Sequence, residues 1–469
     1  MMPRFSTCTP ALYWLLCTAE FCLGYRVGTL AFKLDEVVLQ GFNWECTQRH
    51  PNGWYSVLAR KAASVQKAGF TSVWMPPASI SVSREGYMPR ELENLNSAYG
   101  SEHDLRGCIS AFHDVGVKVL ADVVINHRCA GRQNSKGQWN QFDGRYPWGE
   151  DCLCSSPKQF GGTGAKKEGD VFGAAPNIDH QNERVRQDIK DYLNWLQNDL
   201  KFDGWRFDFA KGFSGRHVGE YIEATQPQLA IGEIWTDCDW NGSKLEVVQD
   251  EHRQRTIDWV HETGNKSLAF DFTTKAILQE AVMRKEYNRL RDADGRPPGV
   301  LGWEPQMAVT FLDNHDTGST QNHWPFPAHA VHQGYAYILT HPGTPCVFYD
   351  HVWSGGMHDV SKWRRMKKLL IRQKIIEASS SSPLLPLKDT IIELIALRKR
   401  MGISATSKVE ILEARSDVYA AVIDGKLLLK IGPGKWTPKS SGGNAALANK
   451  TWLVTMSGYQ YTIWEAHSQ

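Results

Sequence analysis

Short apolar runs recur along the chain, separated by stretches in which apolar positions return every three or four residues. Val37 to Trp44, Ser72 to Pro76, Val117 to Val124, Gly204 to Phe209, Leu229 to Trp235, Ser267 to Phe272, Ala308 to Leu312 and Thr344 to Tyr349 have the length and aromatic or β-branched content of strands buried on both faces. The intervening segments carry the helical period. Trp54 to Lys67, Leu105 to Val115, Asn182 to Leu200 and Thr390 to Arg400 are predicted helices, with Ile189, Leu193 and Leu196 on one face of the third, and Tyr221 to Ala224 lies in a further amphipathic connector. Strand and helix alternating in this way predict a parallel sheet with helical crossovers. Two stretches depart from the alternation. Residues 128–177 are polar and glycine-rich, too long for a structureless loop inside a compact domain, and read as an inserted loop-rich unit. From about Gly402, short alternating runs (Val418 to Ile423, Lys426 to Ile431, Thr451 to Thr455, Tyr461 to Glu465) predict a small antiparallel sheet.

The chemistry-bearing residues collect where strands end. Asp208 closes the run GWRFD, Glu233 lies near the end of LAIGEIW, Asp316 ends AVTFLDNHD, and Asn126 and His127 follow DVVI. An acid at one strand end is more often a helix cap or an ion-pair partner. Several at once are different, because a parallel barrel brings the carboxyl ends of all its strands to one face. Two carboxyls side by side there can act as nucleophile and proton donor.

The segments DVVINH, GWRFDFAKG, GEIW and FLDNHD resemble, in order, the four signature regions of the α-amylase family of glycoside hydrolases. QGFNWE, EGYMPREL, AAPNIDH, NHDTGSTQNHWPFP and GYAYILTHPGTP extend the resemblance from about Val37 to Glu465, in its plant-type form. The resemblance implies a (β/α)8 TIM barrel (36–127 and 178–401), an excursion after strand three (128–177) and a C-terminal antiparallel sheet domain (402–469). It implies retaining endo-hydrolysis of α-1,4-glucosidic bonds in starch and maltooligosaccharides. Asp208 would be the nucleophile, Glu233 the acid and base, and Asp316 the stabiliser of the charged transition state. Arg206, two residues before Asp208 on the same strand face, would keep the nucleophile ionised. Tyr87 would be the platform under the sugar, His127 and His315 would bind its hydroxyls, and Lys211 and Trp235 would meet the substrate beside the cleavage point. Calcium is expected between excursion and barrel, on Asn126, Asp170 and the Gly212 carbonyl, since a hard cation takes oxygen ligands. One departure bears on it: secreted plant relatives carry a further Asp about ten residues before the position of Asp170, and Gln159 to Gly169 contains none. The alternatives are another α-glucan-active enzyme of the superfamily and a noncatalytic starch-binding relative. All three acids being present argues against the second.

Composition adds limits. A net charge of +2 implies no polyanionic partner such as nucleic acid, and eighteen tryptophans offer flat faces for sugars although most belong in a core. The positive excess is local: Val360 to Lys388 holds eight Lys or Arg against one Glu, within 352–388, an insert after strand eight that the family does not have, with WRRMKKLLIRQKII followed by a serine run. It is expected to be a solvated addition. The apolar stretch Ala11 to Leu23 is too short for a bilayer span and is interrupted by Glu20, so residues 1–35 read as a targeting segment, for plastid or secretion. Ten cysteines without metal spacing are expected as buried reduced thiols, and a monomer is expected.

Overall fold

The computed structural model describes residues 35–353, 386–438 and 445–468. The targeting segment and most of the 352–388 insert therefore lie outside the described residues. Eight parallel strands close into a barrel: β1 (Val38–Gln40), β2 (Ser72–Trp74), β3 (Lys118–Val123), β4 (Gly204–Phe207), β5 (Leu229–Gly232), β6 (Leu268–Phe270), β7 (Ala308–Phe311) and β8 (Thr344–Phe348). Each pairs with the next in the chain, and Val38 pairs with both Ser72 and Cys346 to close the ring. Every residue of β1, β2, β4, β5, β6, β7 and β8 is buried. That is why these strands appear in the sequence as continuous apolar runs rather than alternating ones.

Helices follow each strand, and side-chain chemistry sets their limits. Trp54 to Lys67 is two short helices, α1 (Trp54–Ala59) and α2 (Ala62–Lys67). They are separated by a tighter turn in which Lys61 N–H bonds the Leu58 carbonyl, three residues back. Helix α3 (Glu102–His113) begins earlier than its apolar period because Ser101 and Asp104 form a capping box. The crossovers continue with α4 (Glu183–Asn198), α5 (Gly215–Thr225) and α6 (Asp250–Glu262). Strand β6 stops at Phe270, short of the expected Phe272, because the Asp271 carboxylate accepts Thr274 N–H and caps α7 (Phe272–Arg284). Helices α8 (Val331–Thr340) and α9 (Leu387–Met401) complete the ring.

The C-terminal sheet has five antiparallel strands: β9 (Val409–Arg415), β10 (Val418–Ile423), β11 (Leu427–Ile431), β12 (Lys450–Gly458) and β13 (Tyr461–Ser468), in the spatial order β9, β10, β11, β13, β12. Along β10, Tyr419, Ala421 and Ile423 join the main core while Val418, Ala420 and Val422 join a second cluster with Trp436 and Trp464. The strand is thus covered on both faces, with the period of two that a pleated strand imposes. β9 escapes the sequence pattern because a bulge between Ile411 and Glu413 breaks the alternation of its apolar and polar positions.

Candidate functional site

The carboxyl ends of the barrel strands open into a cleft of about 450 Å³. Asp208, Glu233, Asp316, Tyr87, His127, Lys211, Trp235 and His315 all line it. Arg206 does not; it is wholly buried beneath the floor. Trp44, Phe172 and His323 complete the walls. Of these three, Trp44 and His323 were within reach of the sequence, through QGFNWE and NHDTGSTQNHWPFP.

Arg206 holds the floor together. Its Nη1 donates to both oxygens of Asp122 (2.9 and 3.1 Å) and to Asp208 Oδ1 (2.8 Å). Its Nη2 lies 2.6 Å from Glu233 Oε1. That last contact is an ion pair without hydrogen-bond alignment, since neither atom has a hydrogen-bond partner. One oxygen of Glu233 is therefore left able to give or take a proton, and the other accepts Phe209 N–H at 3.1 Å.

Phe209 is in the left-handed region (φ 44°, ψ 42°), a strained conformation for an aromatic residue. The bend ends β4, leaves Asp208 at the cleft floor and aims the Phe209 amide at Glu233. Ala210 N–H then bonds the Glu233 carbonyl. The sequence shows only a Phe there, so the turn was not legible.

Asp122, the first residue of DVVINH, is a functional residue to which the sequence assigned no role. Besides Arg206, its carboxylate accepts Trp74 Nε1–H and the Tyr87 hydroxyl, each at 2.9 Å. It thereby orients both the guanidinium and the aromatic platform. Tyr87 stacks on His315 (4.9 Å, 8°), and Trp44 lies parallel to Tyr87 at 6.0 Å. Together they form a flat wall suited to the face of a sugar ring. Opposite, Trp235 is stacked on Phe272 at 5.2 Å.

Loop chemistry places Asp316. The Asn314 side-chain oxygen accepts the N–H groups of Asp316 (3.0 Å) and Thr317 (2.8 Å), a tight turn that presents the Asp316 carboxyl to the cleft. Gln40 donates its amide to His315 Nδ1 at 2.9 Å, which leaves Nε2 as the N–H bearing nitrogen, 3.3 Å from Asp316 Oδ2. Burial and the nearby Arg206 hold His315 neutral, well below its usual range. His127 differs from its expected role. Its Nε2–H donates to the Tyr87 carbonyl (2.8 Å) and its Nδ1 accepts from Asn126 (3.1 Å), so both ring nitrogens are engaged within the protein. In this geometry His127 supports the Tyr87 backbone and lends an edge to the cleft.

The carboxyls cannot all be charged beside a single guanidinium. Burial raises Asp122 to about 7 against the opposing pull of Arg206. Burial also raises Asp208 and Glu233, with Arg206 opposing in both cases. Asp316 is pushed well above the carboxylate range, first by burial and then by Glu233. Asp208 has both an ion pair and a hydrogen bond from Arg206 to favour its anion, so the protons are retained on the side of Glu233 and Asp316. A group whose folded pKa is raised contributes stability below its unfolded pKa and loses it as pH rises through the folded value. Asp316→Asn is therefore expected to raise the melting temperature by a few degrees at pH 7 and by nothing at pH 3.5. An equal shift at both pH values would show that the raised pKa of Asp316 is not the cause.

The residues expected to bind calcium do not fit it. Asn126 and Gly212 do come together: a Cβ on Gly212 would stand 2.0 Å from Asn126 Oδ1, which only glycine allows. That oxygen, however, accepts from Lys167 Nζ at 2.6 Å. Asp170 is paired with Lys211 at 3.2 Å, its side chain 61% exposed. Calcium takes six to eight oxygens, and here an ammonium already holds the buried one. Among the described residues, no group of three or more His, Cys, Asp or Glu is gathered as for a metal. The Asp170 pair also uses Lys211, which lines the cleft but has its ammonium turned to the excursion.

The chain matches two family descriptions, "Alpha amylase, catalytic domain" over residues 50–147 and "Alpha-amylase C-terminal beta-sheet domain" over residues 400–465. It is 45% identical over 432 residues to "Probable alpha-amylase 2" of Arabidopsis thaliana, covering 92% of this chain and 94% of that protein. The chain belongs to the α-amylase family. Another α-amylase of the same plant, "Alpha-amylase 3, chloroplastic", is 44% identical over 92% of this chain, which spans 44% of that longer protein. Among solved structures, the α-amylase of Malbranchea cinnamomea superimposes with a TM-score of 0.60 at 16% identity, covering 92% of this chain and 96% of its own. That likeness is one of fold alone. Among the described residues of this α-amylase family member, the seven cysteines from Cys46 to Cys346 form no disulfide, and all but Cys238 are buried.

Proposed function

We propose that the protein is an α-amylase that hydrolyses internal α-1,4-glucosidic bonds of starch-like glucans with retention of configuration. The observation that carries this is a single guanidinium, Arg206, contacting Asp208 and Glu233 at the floor of an aromatic-walled cleft. Two carboxyls gripped by one fork stand close, as in a retaining pair, which needs no room for a water between them. Asp208 attacks the anomeric carbon and forms the glycosyl-enzyme. Glu233 gives its proton to the departing oxygen and then takes one from the incoming water. Asp316 faces the developing positive charge, which favours its anion; with its proton given up to solvent, the carboxylate stabilises the oxocarbenium-like state. Tyr87 and Trp44 support the sugar ring, and the His315 Nε2–H is placed to bind a hydroxyl.

The barrel (36–127, 178–401) carries the chemistry in this reading. The excursion 128–177 supplies Phe172 and the support beneath Lys211, and residues 402–469 form the appended sheet. The expected partners are starch and maltooligosaccharides, with the chain acting as a monomer. No helix among the described residues is long and apolar enough to cross a membrane. The chloroplastic relative supports a plastid address, and a reporter fused to residues 1–35 that stays outside plastids would remove that part of the reading.

The test is incubation with soluble starch, following reducing ends, chain-length products and the anomeric configuration of the first product by NMR. Internal cleavage releasing α-anomers is expected. β-Anomers would overturn the retaining pair, and binding without reducing ends would indicate a noncatalytic relative. Transfer products with little hydrolysis would favour a glucanotransferase.

A further inference from the structure

The most telling contact outside the catalytic chemistry is the one that displaced the expected metal. Lys167 belongs to the excursion, and its side chain is 9% exposed, an unusual place for an ammonium. It reaches Asn126, wholly buried just past β3, with a 2.6 Å hydrogen bond to Oδ1. Burial works against its charge, and Cys154, Glu168, Asp179 and Asp170 favour it. The same strip of excursion is tied to the barrel through backbone, Asp170 N–H to the Lys211 carbonyl at 3.1 Å, and through the Asp170–Lys211 ion pair at 3.2 Å. Gly169 packs so closely on Lys211 and Gly212 that a Cβ would meet the Lys211 carbonyl oxygen at 2.2 Å.

We infer that two lysine ammonium groups, Lys167 on Asn126 and Lys211 on Asp170, replace a calcium ion as the fastener between excursion and barrel, so that the fold beside the nucleophile strand does not depend on calcium. The exchange balances in charge, because two monovalent ammoniums stand where one divalent ion would. It also accounts for the departure in sequence. A calcium site needs extra carboxylates in the stretch Gln159 to Gly169, and an ammonium does not; that stretch holds Lys166 and Lys167, no Asp, and one Glu, Glu168, whose carboxylate is taken by His217 at 2.9 Å and Arg216 at 3.6 Å. A divalent ion on Asn126 Oδ1 would sit against the Lys167 ammonium, and like charges at that range repel strongly in a buried site. A tethered cation carries no binding equilibrium, so its contribution to stability does not vary with free metal, whereas that of a bound ion does by mass action.

The experiment follows stability rather than hydrolysis, so its outcome is separate from that of the proposed activity. Full-length protein is purified without added metal, its calcium content is measured by elemental analysis, and its melting temperature is recorded in excess EDTA and in millimolar calcium chloride. Calcium well below one per chain, with melting temperatures in the two conditions agreeing within a degree, is expected. About one calcium per chain, or a fall of several degrees in EDTA, would overturn the inference. Lys167→Met keeps length and removes charge, and is expected to lower the melting temperature by several degrees in both conditions. An unchanged melting temperature for that variant would also overturn the inference. If the variant does not fold, the wild-type measurements still decide.

Discussion

Asp208→Asn is expected to lower starch turnover on the order of 10⁴-fold or more, the scale of loss when a covalent nucleophile is removed. Glu233→Gln is expected to cost about 10²- to 10⁴-fold, the usual contribution of a general acid. A better leaving group separates the two roles. On an aryl maltooligosaccharide whose phenol departs without protonation, Glu233→Gln should recover a large part of the rate of glycosyl-enzyme formation and release a burst of phenol. Asp208→Asn should recover nothing, because no bond to the enzyme can form. Equal recovery in both variants would show that the two acids have been assigned the wrong way round or that neither acts covalently. Both changes are nearly isosteric; Glu233→Gln replaces a group that already keeps its proton, and Asp208→Asn leaves Arg206 the Asp122 carboxylate as a counter-ion, so both variants should remain folded at neutral pH.

The second large effect concerns stability. Arg206→Met is expected to destabilise the protein by about 3–5 kcal/mol at pH 7, as loss of one partner from a buried ionic network does. Burial works against the charge of Arg206, yet Asp122 and Glu233 more than compensate and hold it protonated. Without it, Asp122, Asp208 and Glu233 remain in the core with only Trp74 Nε1–H, the Tyr87 hydroxyl and the Phe209 amide as donors. Their folded pKa values then rise further. The folded state binds more protons than the unfolded one, so the loss should shrink as pH falls toward the ordinary carboxylate range. Urea unfolding of parent and variant between pH 4.5 and 7.5 would measure this. A gap that does not narrow at low pH would mean that Arg206 acts through packing against Trp74, over whose ring it lies at 4.7 Å, more than through charge.

The sequence by itself determined the barrel and the face on which its chemistry sits. Continuous apolar runs such as AVTF and TPCVF can only be satisfied where both sides are covered, and helical crossovers of the observed length allow a parallel closed sheet. The acids at the ends of those runs, Asp208, Glu233 and Asp316, were legible because strand ends are fixed by where the apolar run stops. The C-terminal sheet was legible in β10 to β13, the exposed edge strand β12 included, and not in β9, where a bulge interrupts the alternation.

Only the tertiary structure decided which partner each polar group took. Asp122 and Arg206 are 84 residues apart in the chain, and nothing local marks Asp122 as the acceptor that orients both the guanidinium and Tyr87. The left-handed Phe209 is set by the Glu233 carboxylate that catches its amide, against its own preference. Likewise the Asn126 oxygen is open to a metal or an ammonium as far as its neighbours in sequence are concerned. Lys167, 41 residues on, reaches it because the excursion folds back over the barrel mouth and brings a buried cation to a buried lone pair. Hydrophobic periodicity is a property of neighbours along the chain, whereas a buried hydrogen bond is chosen among whatever the fold has brought within 3 Å or so.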